Sequence, residues 1–374
     1  MDLAVTGLLA LSSLLACPGG TEEKDSTRTS PATHDTGWAV YEAPGEGWSE
    51  LQSIQREFNS VVLDPSGNVT FGTCDEDSLC PDGACRRDCT DTPGWWAELG
   101  PLTRVSVPES DWEYAHAGMP EPWVAVDATG ETWRRSETHP PEPQRAADWD
   151  SPTSIGAFEV NEPCWCATFA DRVPSCECQS GSPPEGVEDH LGDAVALWST
   201  GSALAILRRD GTAGWIDSYF YTTLGELPDP AYSGLSLSSL SILSSGTDGV
   251  LRLYTMTGDG SGEVQMAEPL ELGPQPTDAS AFAAGGGTAH CWIDAEGQLH
   301  FAWWDWSEAD QEREHWPLRG PKFGAVPSSL FCDEWTGCAI VDGRLQCWSR
   351  TLDGEPYYIP PFGDLMLTSG TRIQ

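Results

Sequence analysis

The stretch HCWIDAEGQLHFAWW, residues 290–304, decides the fold, because its pattern recurs along the chain. A short apolar run leads into a polar turn, and a second run usually closes on an aromatic residue. The other copies are SVVLDPSGNVTF (60–71), WVAVDATGETW (123–133), CATFADRVPSCEC (166–178), LAILRRDGTAGW (204–215), LSILSSGTDGVLRLY (240–254) and CAIVDGRLQCW (338–348). Their turn positions, counted from 67 to 343, lie 38 to 63 residues apart. Repeats of this length are typical of propellers and solenoids.

Each copy predicts a β-hairpin. Asp-Gly dipeptides such as Asp210-Gly211, Asp248-Gly249 and Asp342-Gly343 supply the positive φ angles of two-residue hairpin turns. The flanking β-branched and aromatic residues suit strands. A single hairpin is marginally stable in water, so the hairpins must stack, and a closed ring of sheets solves this for repeats of this length. We therefore expect an all-β fold, a seven-bladed β-propeller, with six to eight blades compatible with the pattern.

The two ends of the repeat region complement each other. The C-terminal stretch DLMLTSGTRIQ, residues 364–374, repeats the segment that precedes each hairpin, but no hairpin follows it. The segment GWAVYEAPGEGW, residues 37–48, is the expected partner, so that both ends share one blade and close the ring. We expect one propeller domain over 37–374, with a cysteine-rich loop at 74–102 and a proline-rich loop at 134–152.

Composition excludes several classes of protein. The 374 residues carry 58 acidic and 19 basic side chains, a net charge of −39. Nucleic acid and anionic lipid surfaces require clustered Lys or Arg, so neither is an expected partner of the domain. The 39 Gly and 29 Pro argue against a helical bundle. Hydrophobic residues at 39% still suffice for a large core.

The N-terminus predicts export. Residues 1–16, MDLAVTGLLALSSLLA, form a short apolar run that ends at Cys17. The sequence LLAC resembles a bacterial lipobox, which implies a signal peptide over 1–16 and a membrane anchor through lipidation of Cys17. Residues 17–36 are polar and predict a disordered tether. The chain is then lipid-anchored in the bacterial envelope, at the outer membrane or the cell surface; an ordinary cleaved secretory signal and a buried N-terminus are the alternatives.

Thirteen cysteines in an exported chain are expected to be oxidised. Setting Cys17 aside leaves an even number. Around the turn Asp342-Gly343, Cys338 faces Cys347 on a non-hydrogen-bonded rung, where Cα atoms approach to about 4.5 Å, within disulfide range. We therefore predict a cross-strand disulfide between these two residues.

Four further cysteines are symmetric about Asp171: Cys164 with Cys178, and Cys166 with Cys176. Alternate residues of a strand share a face, so the four sulfurs should line one side of a hairpin. Two stacked disulfides are the first interpretation, and a four-thiolate metal site is the alternative.

The remaining cysteines allow fewer conclusions about their pairing. A stapled surface loop with two bridges is expected for Cys74, Cys80, Cys85 and Cys89, and three connectivities are open. Cys291 and Cys332 are left to pair with each other, between adjacent blades, by elimination.

Two copies carry a family resemblance. GTAHCWIDAEGQLHFAW (287–303) and GCAIVDGRLQCW (337–348) resemble the Cys-Ala-Leu, Asp-Gly, Cys-Trp pattern of the RCC1-like repeat. That repeat builds β-propellers, among them a chromatin-condensation regulator and exported bacterial proteins such as a secreted β-lactamase inhibitor. The resemblance is specific over about 280–350 and weaker over 192–254. It implies the fold, but a chromatin role does not fit the charge or the expected compartment.

Motifs for catalysis are absent from the sequence: there is no HExxH, P-loop or GxSxG signature. We predict no cofactor, no metal and no catalytic residue, and a monomeric, non-catalytic module that binds or scaffolds an unknown protein or glycan. The alternative is an envelope polysaccharide hydrolase or lyase with two inward carboxylates. Tryptophans in FAWWDW (301–306) and GWW (94–96) either stack on sugars, form a protein-binding patch or pack between blades. His290 and His300 are expected at the surface or in packing.

Overall fold

A computed structural model describes most of the repeat region. The described residues are 37–54, 59–72, 99–106, 123–135, 143–146, 148–159, 162–199, 203–217, 223–228, 231–238, 241–258, 264–266, 269–272, 282–284, 289–294, 296–305, 314–332, 336–352, 355–356, 362, 365–366 and 371–372. All belong to the second of the two units into which the chain divides, Met1–Asp35 and Thr36–Gln374. The expected signal peptide, the tether and nearly all of the cysteine-rich loop lie outside them. Within these residues, no helix has the length and apolar character to cross a membrane.

Seven antiparallel sheets follow one another along the chain and are the blades of a seven-bladed β-propeller, as the repeat predicts. The first strand, β1 (Trp38–Glu42), belongs to the last blade. Blade 1 contains β2 (Ser49–Ile54), β3 (Asn59–Leu63) and β4 (Val69–Gly72). Blade 2 contains β5 (Leu102–Ser106), β6 (Trp123–Asp127), β7 (Thr132–Arg135) and β8 (Gln144–Arg145). Blade 3 contains β9 (Ser154–Glu159), β10 (Pro163–Thr168) and β11 (Ser175–Cys178), followed by the helix α1 (Val187–Leu191).

The remaining four blades repeat this order. Blade 4 contains β12 (Ala194–Ser199), β13 (Ala203–Arg208), β14 (Ala213–Asp217) and β15 (Thr223–Glu226). Blade 5 contains β16 (Tyr232–Ser238), β17 (Ser241–Gly246), β18 (Leu251–Gly258), β19 (Val264–Met266) and β20 (Leu270–Leu272). Blade 6 contains β21 (Phe282–Ala284), β22 (Ala289–Ile293), β23 (Gln298–Asp305) and β24 (Glu314–Lys322). Blade 7 contains β25 (Ser329–Cys332), β26 (Thr336–Val341), β27 (Arg344–Leu352), β28 (Glu355–Pro356), β29 (Thr371–Arg372) and β1.

The core lies between the blades. Seven clusters of buried apolar side chains occur in the described part of the chain, one between each pair of consecutive blades. Tyr41 and Phe331 of blade 7 share a cluster with Leu51 and Val62 of blade 1, so the last blade packs on the first. Burial on both faces explains why the second strands of the blades are almost continuously apolar.

The first and the last described strands both lie in blade 7, which confirms the expected closure. β1 pairs with β27 over five residues, from Trp38 opposite Arg350 to Glu42 opposite Gln346. The last described strand, β29, pairs with the outer side of β1, and two residue pairs are described there. Closure of the ring therefore depends mainly on the N-terminal strand.

Most hairpin turns differ from the two-residue turns that the sequence predicts. Only Asp342 and Gly343 both have positive φ, at 51° and 73°. In blade 6, Gly297 N–H donates to Asp294 O and Asp294 N–H donates to Gln298 O, which is a three-residue loop ending in a glycine bulge. The same bonds recur in blades 1, 2, 4 and 5, and there only the glycine is left-handed. The Asp-Gly dipeptide is common to both turn types, so it does not distinguish them.

The turn glycines also join neighbouring blades. In blade 6, the carbonyl of Gly297 accepts a hydrogen bond from Phe323 N–H, at the entrance to blade 7. Equivalent bonds run from Leu102 to Gly67, from Ser151 to Gly130, from Tyr232 to Gly211 and from Gly47 to Gly343, at 2.7 to 2.8 Å. The last of them connects blade 7 with blade 1. Each such turn therefore closes its own hairpin and holds the next blade in place.

The expected proline-rich loop at 134–152 is partly wrong. Strand β8 lies inside it and pairs with β7 as the outer strand of blade 2. Ala146 and Trp149 are buried against blade 3. A two-residue strand and a single tryptophan produce no periodic pattern of apolar residues in the sequence. The stretch therefore looks like an inserted loop. The end of the other expected loop, Leu102, already begins β5.

Replacing Gly297 by alanine should destabilise the protein more than replacing Gly249. Both glycines are left-handed, at 79° and 83°, which costs about 1 kcal/mol for alanine. A Cβ at Gly297 would lie 2.5 Å from the carbonyl oxygen of Phe323, whereas no described atom lies within 4 Å of one at Gly249. We expect an additional loss of about 1 to 3 kcal/mol for Gly297→Ala in denaturant unfolding. Equal losses in the two variants would show that the contact between blades is not tight.

Candidate functional site

The structure joins eight cysteines into four disulfides. In blade 3, Cys164 is bonded to Cys178 and Cys166 to Cys176, with Cα atoms 4.0 and 4.1 Å apart. In blade 7, Cys338 is bonded to Cys347 across the hairpin, with Cα atoms 4.0 Å apart, as expected of a non-hydrogen-bonded rung. These are the pairs that hairpin symmetry predicts.

One disulfide crosses between blades. Cys291 on β22 of blade 6 is bonded to Cys332 on β25 of blade 7, with Cα atoms 6.4 Å apart. Both residues are buried in the cluster between these blades. The sequence analysis predicts this pair, because Cys291 and Cys332 are the two cysteines left after the others are paired. The other cysteines of the sequence analysis, Cys17, Cys74, Cys80, Cys85 and Cys89, lie outside the described residues.

The described tryptophans act in packing. Trp123, Trp165, Trp215, Trp292 and Trp348 are all buried between blades. Phe301 stacks on Trp38, with ring centroids 5.4 Å apart. The side chains at 303–306 and the stretch 94–96 lie outside the description.

His290 and His300 of blade 6 are both engaged within the protein. His290 is buried, and its Nε2 lies 2.9 Å from Ser241 Oγ of blade 5. His300 stacks on Trp292 and its Nε2 lies 2.6 Å from Asp294 Oδ2. They are not opposite each other, since His290 pairs with Ala302.

Asp294 is a turn cap. Its Oδ1 accepts the N–H groups of Glu296 and Gln298. Burial alone would raise the pKa of this carboxyl, but the hydrogen bonds from His300 and from the two N–H groups lower it below its ordinary value. Asp127 in blade 2 has the same arrangement, with Trp133 Nε1 on its other oxygen. Saturated carboxylates of this kind stabilise the turn and leave little capacity for a ligand.

The first strand of each blade lies nearest the axis of the ring, and serine hydroxyls connect these inner strands. Ser154 Oγ of blade 3 accepts from Leu197 N–H of blade 4 at 3.0 Å and donates to Leu197 O at 3.3 Å. Ser106 Oγ and Ser199 Oγ are 2.9 Å apart. Ser329 Oγ of blade 7 donates to Leu51 O of blade 1 at 2.8 Å. Serine hydroxyls of one blade therefore bond to backbone groups of another at the inner edges, where no neighbouring strand is present.

Four inner strands contain a bulge near their start, which shifts the register by one residue: β2, β5, β12 and β16. In β2 the bulge contains Glu50, whose φ of 49° is left-handed. Leu51 then packs with Trp48 in the cluster between blades 7 and 1. In a regular strand Glu50 would share the face of Trp48. The bulge therefore keeps the carboxylate out of the apolar cluster.

Glu50 is the one acid among the described inner-strand side chains. Burial raises the pKa of its carboxyl above the ordinary value of 4.5, and the positive charge of Arg104 on β5 offsets part of this rise. Within the described part of the chain, neither side chain has a hydrogen-bond partner, and they form no ion pair with each other. Nothing in SELQSI, residues 49–54, distinguishes this strand from any other in the sequence.

No protein-family model matches the sequence, and a comparison with curated proteins finds no match. Among solved structures, human WBSCR16 covers 85% of this chain and 99% of its own, with a TM-score of 0.47 and 10% identity. Prp20p of Saccharomyces cerevisiae, described with its binding to Gsp1p and histones, covers 86% and 93%, with a TM-score of 0.49 and 10% identity. The Cps50 (Swd1) β-propeller domain of Myceliophteria thermophila covers 83% and 98%, with a TM-score of 0.43 and 12% identity. Similarity at this level says nothing about a ligand.

Removing the disulfide between blades should cost more than removing the one within blade 7. The chain-entropy relation gives about 4 kcal/mol for the 41-residue separation of Cys291 and Cys332, and about 3 kcal/mol for the 9-residue separation of Cys338 and Cys347. A double alanine variant of either pair removes two sulfur atoms, so the two variants can be compared directly. Denaturant unfolding should rank them in this order, and the reverse order would contradict a closing role for Cys291–Cys332.

Glu50→Gln should gain stability over the wild type as the pH rises above 4.5. The unfolded chain releases this proton near 4.5, while the folded chain retains it to a higher pH, so deprotonation favours unfolding over that window. Below pH 4.5, where Glu50 is protonated in both the folded and the unfolded chain, the wild type and Glu50→Gln should be equally stable. Denaturant unfolding between about pH 4 and about pH 8 measures the difference. Glu296→Gln, at an exposed turn, is the control, and a pH-independent difference would contradict the burial of Glu50.

Proposed function

We propose that the protein is an exported, lipid-anchored β-propeller that binds an envelope protein or glycan and catalyses no reaction. The observation that carries the proposal is the set of four disulfides in a closed ring. Disulfides are typical of oxidising compartments, which supports a place outside the cytoplasm. The lipobox at Cys17 and the polar stretch that follows it support an anchor at the membrane.

A binding role agrees with the way the ring is built. Blade 7 holds both ends, the disulfide Cys291–Cys332 joins it to blade 6, and Gly343 joins it to blade 1. Such a scaffold presents its turns and inner strands in a fixed arrangement, which lowers the ordering cost of binding. The net charge of −39 opposes nucleic acid as the partner.

The alternative function, a polysaccharide hydrolase or lyase, needs two carboxylates about 5 to 9.5 Å apart. Glu50 is the single acid among the inner-strand side chains that the structure describes. The charged side chain of the facing strand that affects its pKa is Arg104, and a guanidinium is not the second carboxylate that this chemistry needs. The binding role is therefore the one we favour.

Cys17→Ser should abolish the anchor. In a bacterial host fed labelled palmitate, the wild-type chain should be labelled and should sediment with membranes, and the variant should be unlabelled. Equal labelling of both would contradict lipidation at Cys17. An unlabelled wild type that is still exported and shortened would favour an ordinary secretory signal.

Binding and catalysis are separated by one assay. The purified protein is mixed with envelope polysaccharide and, separately, with solubilised envelope proteins, and the bound fraction and new reducing ends are both measured. We expect saturable binding to one of the two materials with no new reducing or unsaturated ends. Product release that depends on the protein would establish the enzymatic alternative, and no saturable binding to either material would contradict the binding role.

A further inference from the structure

The hairpin turn of blade 3 differs from those of the other six blades. Each of the others contains a glycine with positive φ, namely Gly67, Gly130, Gly211, Gly249, Gly297 and Gly343. The blade 3 turn runs through residues 169–174, which include no glycine and no residue of positive φ. Within the described part of the chain, no backbone hydrogen bond involves these six residues. The hairpin of β10 and β11 therefore ends in an open loop and not in a tight turn.

The tip of this loop is exposed to solvent. Residues 170–173 are all exposed, and Val173, at 75%, is the one large apolar side chain that is strongly exposed among the described residues. The two ends of the loop are fixed, since Phe169 and Pro174 are buried. Exposed loop tips are the sites where proteases preferentially cut folded proteins. The peptide bond between Arg172 and Val173 lies within this tip.

The Arg172 side chain is held only by surface contacts. Its guanidinium lies over the ring of Phe169, 3.7 Å from the centroid, and its Nη2 donates to Asp150 O at 3.3 Å. Among the described residues, no carboxylate forms an ion pair with it. An arginine of this kind is free to enter the acidic specificity pocket of a trypsin-like serine protease.

Two disulfides span the exposed bond. Cys166–Cys176 and Cys164–Cys178 close loops with sequence separations of 10 and 14 residues, and short loops gain least from a disulfide in an intact chain. If the chain is cut between them, the same two bonds join two separate chains, so that reassociation becomes intramolecular. The two disulfides therefore stabilise a cleaved hairpin more than an intact one.

We propose that the Arg172–Val173 bond is a processing site for an extracytoplasmic serine protease of arginine specificity, and that the two disulfides keep the cleaved ring intact. Water is the only co-reactant: the C–N bond breaks, Arg172 acquires a carboxylate, Val173 acquires an ammonium group, and nothing is oxidised or reduced. The pairing of β10 with β11 begins beyond the loop, at Ala167 opposite Ser175, so cleavage leaves it in place. This site goes beyond the proposed binding role and does not depend on it.

The turn of blade 4 provides an internal comparison. Arg209 is also exposed, but the backbone around it is hydrogen-bonded. Its N–H donates to Asp193 O, and Gly211 N–H donates to Arg208 O across the turn. A protease must break these bonds before it can bind the segment in an extended form. The Arg209–Asp210 bond should therefore resist cleavage under conditions in which Arg172–Val173 is cut.

Limited digestion of the native, unreduced full-length protein with trypsin tests the site. Mass spectrometry should find a new amino terminus at Val173 and none at Asp210. The peptide that ends at Arg172 and the one that begins at Val173 should stay joined until a reductant is added. The melting temperature after cleavage should lie within about 5 °C of that of the intact protein.

Matched variants separate specificity from general looseness of the loop. Arg172→Lys keeps the positive charge and should still be cut, whereas Arg172→Gln should be cut at this bond at least about a hundredfold more slowly. Arg209→Gln should be cut at Arg172 at the wild-type rate. Absence of a Val173 terminus, equal cleavage at Arg209, or separation of the two peptides without reductant would overturn the proposal. Loss of the folded signal on cleavage would also overturn it, because the disulfides would then not preserve the ring.

Discussion

Every sheet edge in this molecule carries backbone N–H and C=O groups that need partners, and the architecture follows from how those edges are satisfied. At the inner edge, hydroxyls such as those of Ser154 and Ser329 bond to the backbone of the next blade. At the turns, glycine carbonyls accept from the chain entering the next blade. In blade 7, the N-terminal strand β1 covers the edge that β27 would otherwise expose. These contacts make each blade depend on its neighbours, so the ring is stable only as a whole.

Stabilising contacts are distributed unevenly around the ring. The four disulfides of the described chain lie in blade 3, in blade 7 and between blades 6 and 7. Two of them thus lie at or next to the blade that closes the ring, and the other two reinforce a single hairpin of blade 3.

Much of the fold could be predicted from the sequence, because hairpins and disulfides are local. Cys338 and Cys347 lie at equal distances on the two sides of one turn, so their pairing follows from strand geometry alone. The Asp-Gly signal located hairpins but did not distinguish the two-residue turn of Asp342-Gly343 from the three-residue loop of Asp248-Gly249, since both contain the same dipeptide. Strand β8 escaped prediction because two residues have no periodicity. Glu50 was missed because the bulge depends on how β2 packs between two blades, and no residue type in that strand indicates it.

The closing strand has a consequence for the order of events during synthesis. β1 is made first, but its partner β27 is among the last parts of the chain to be made, and Trp38 meets Arg350 only at the end. The entropy of closing so long a loop grows only logarithmically with its length, so the equilibrium cost is modest. The kinetic cost is larger, because an apolar strand with two open edges persists until the chain is nearly complete. Among the described strands, β1 is therefore the one that waits longest for its partner and is open to pairing with other chains for most of translation.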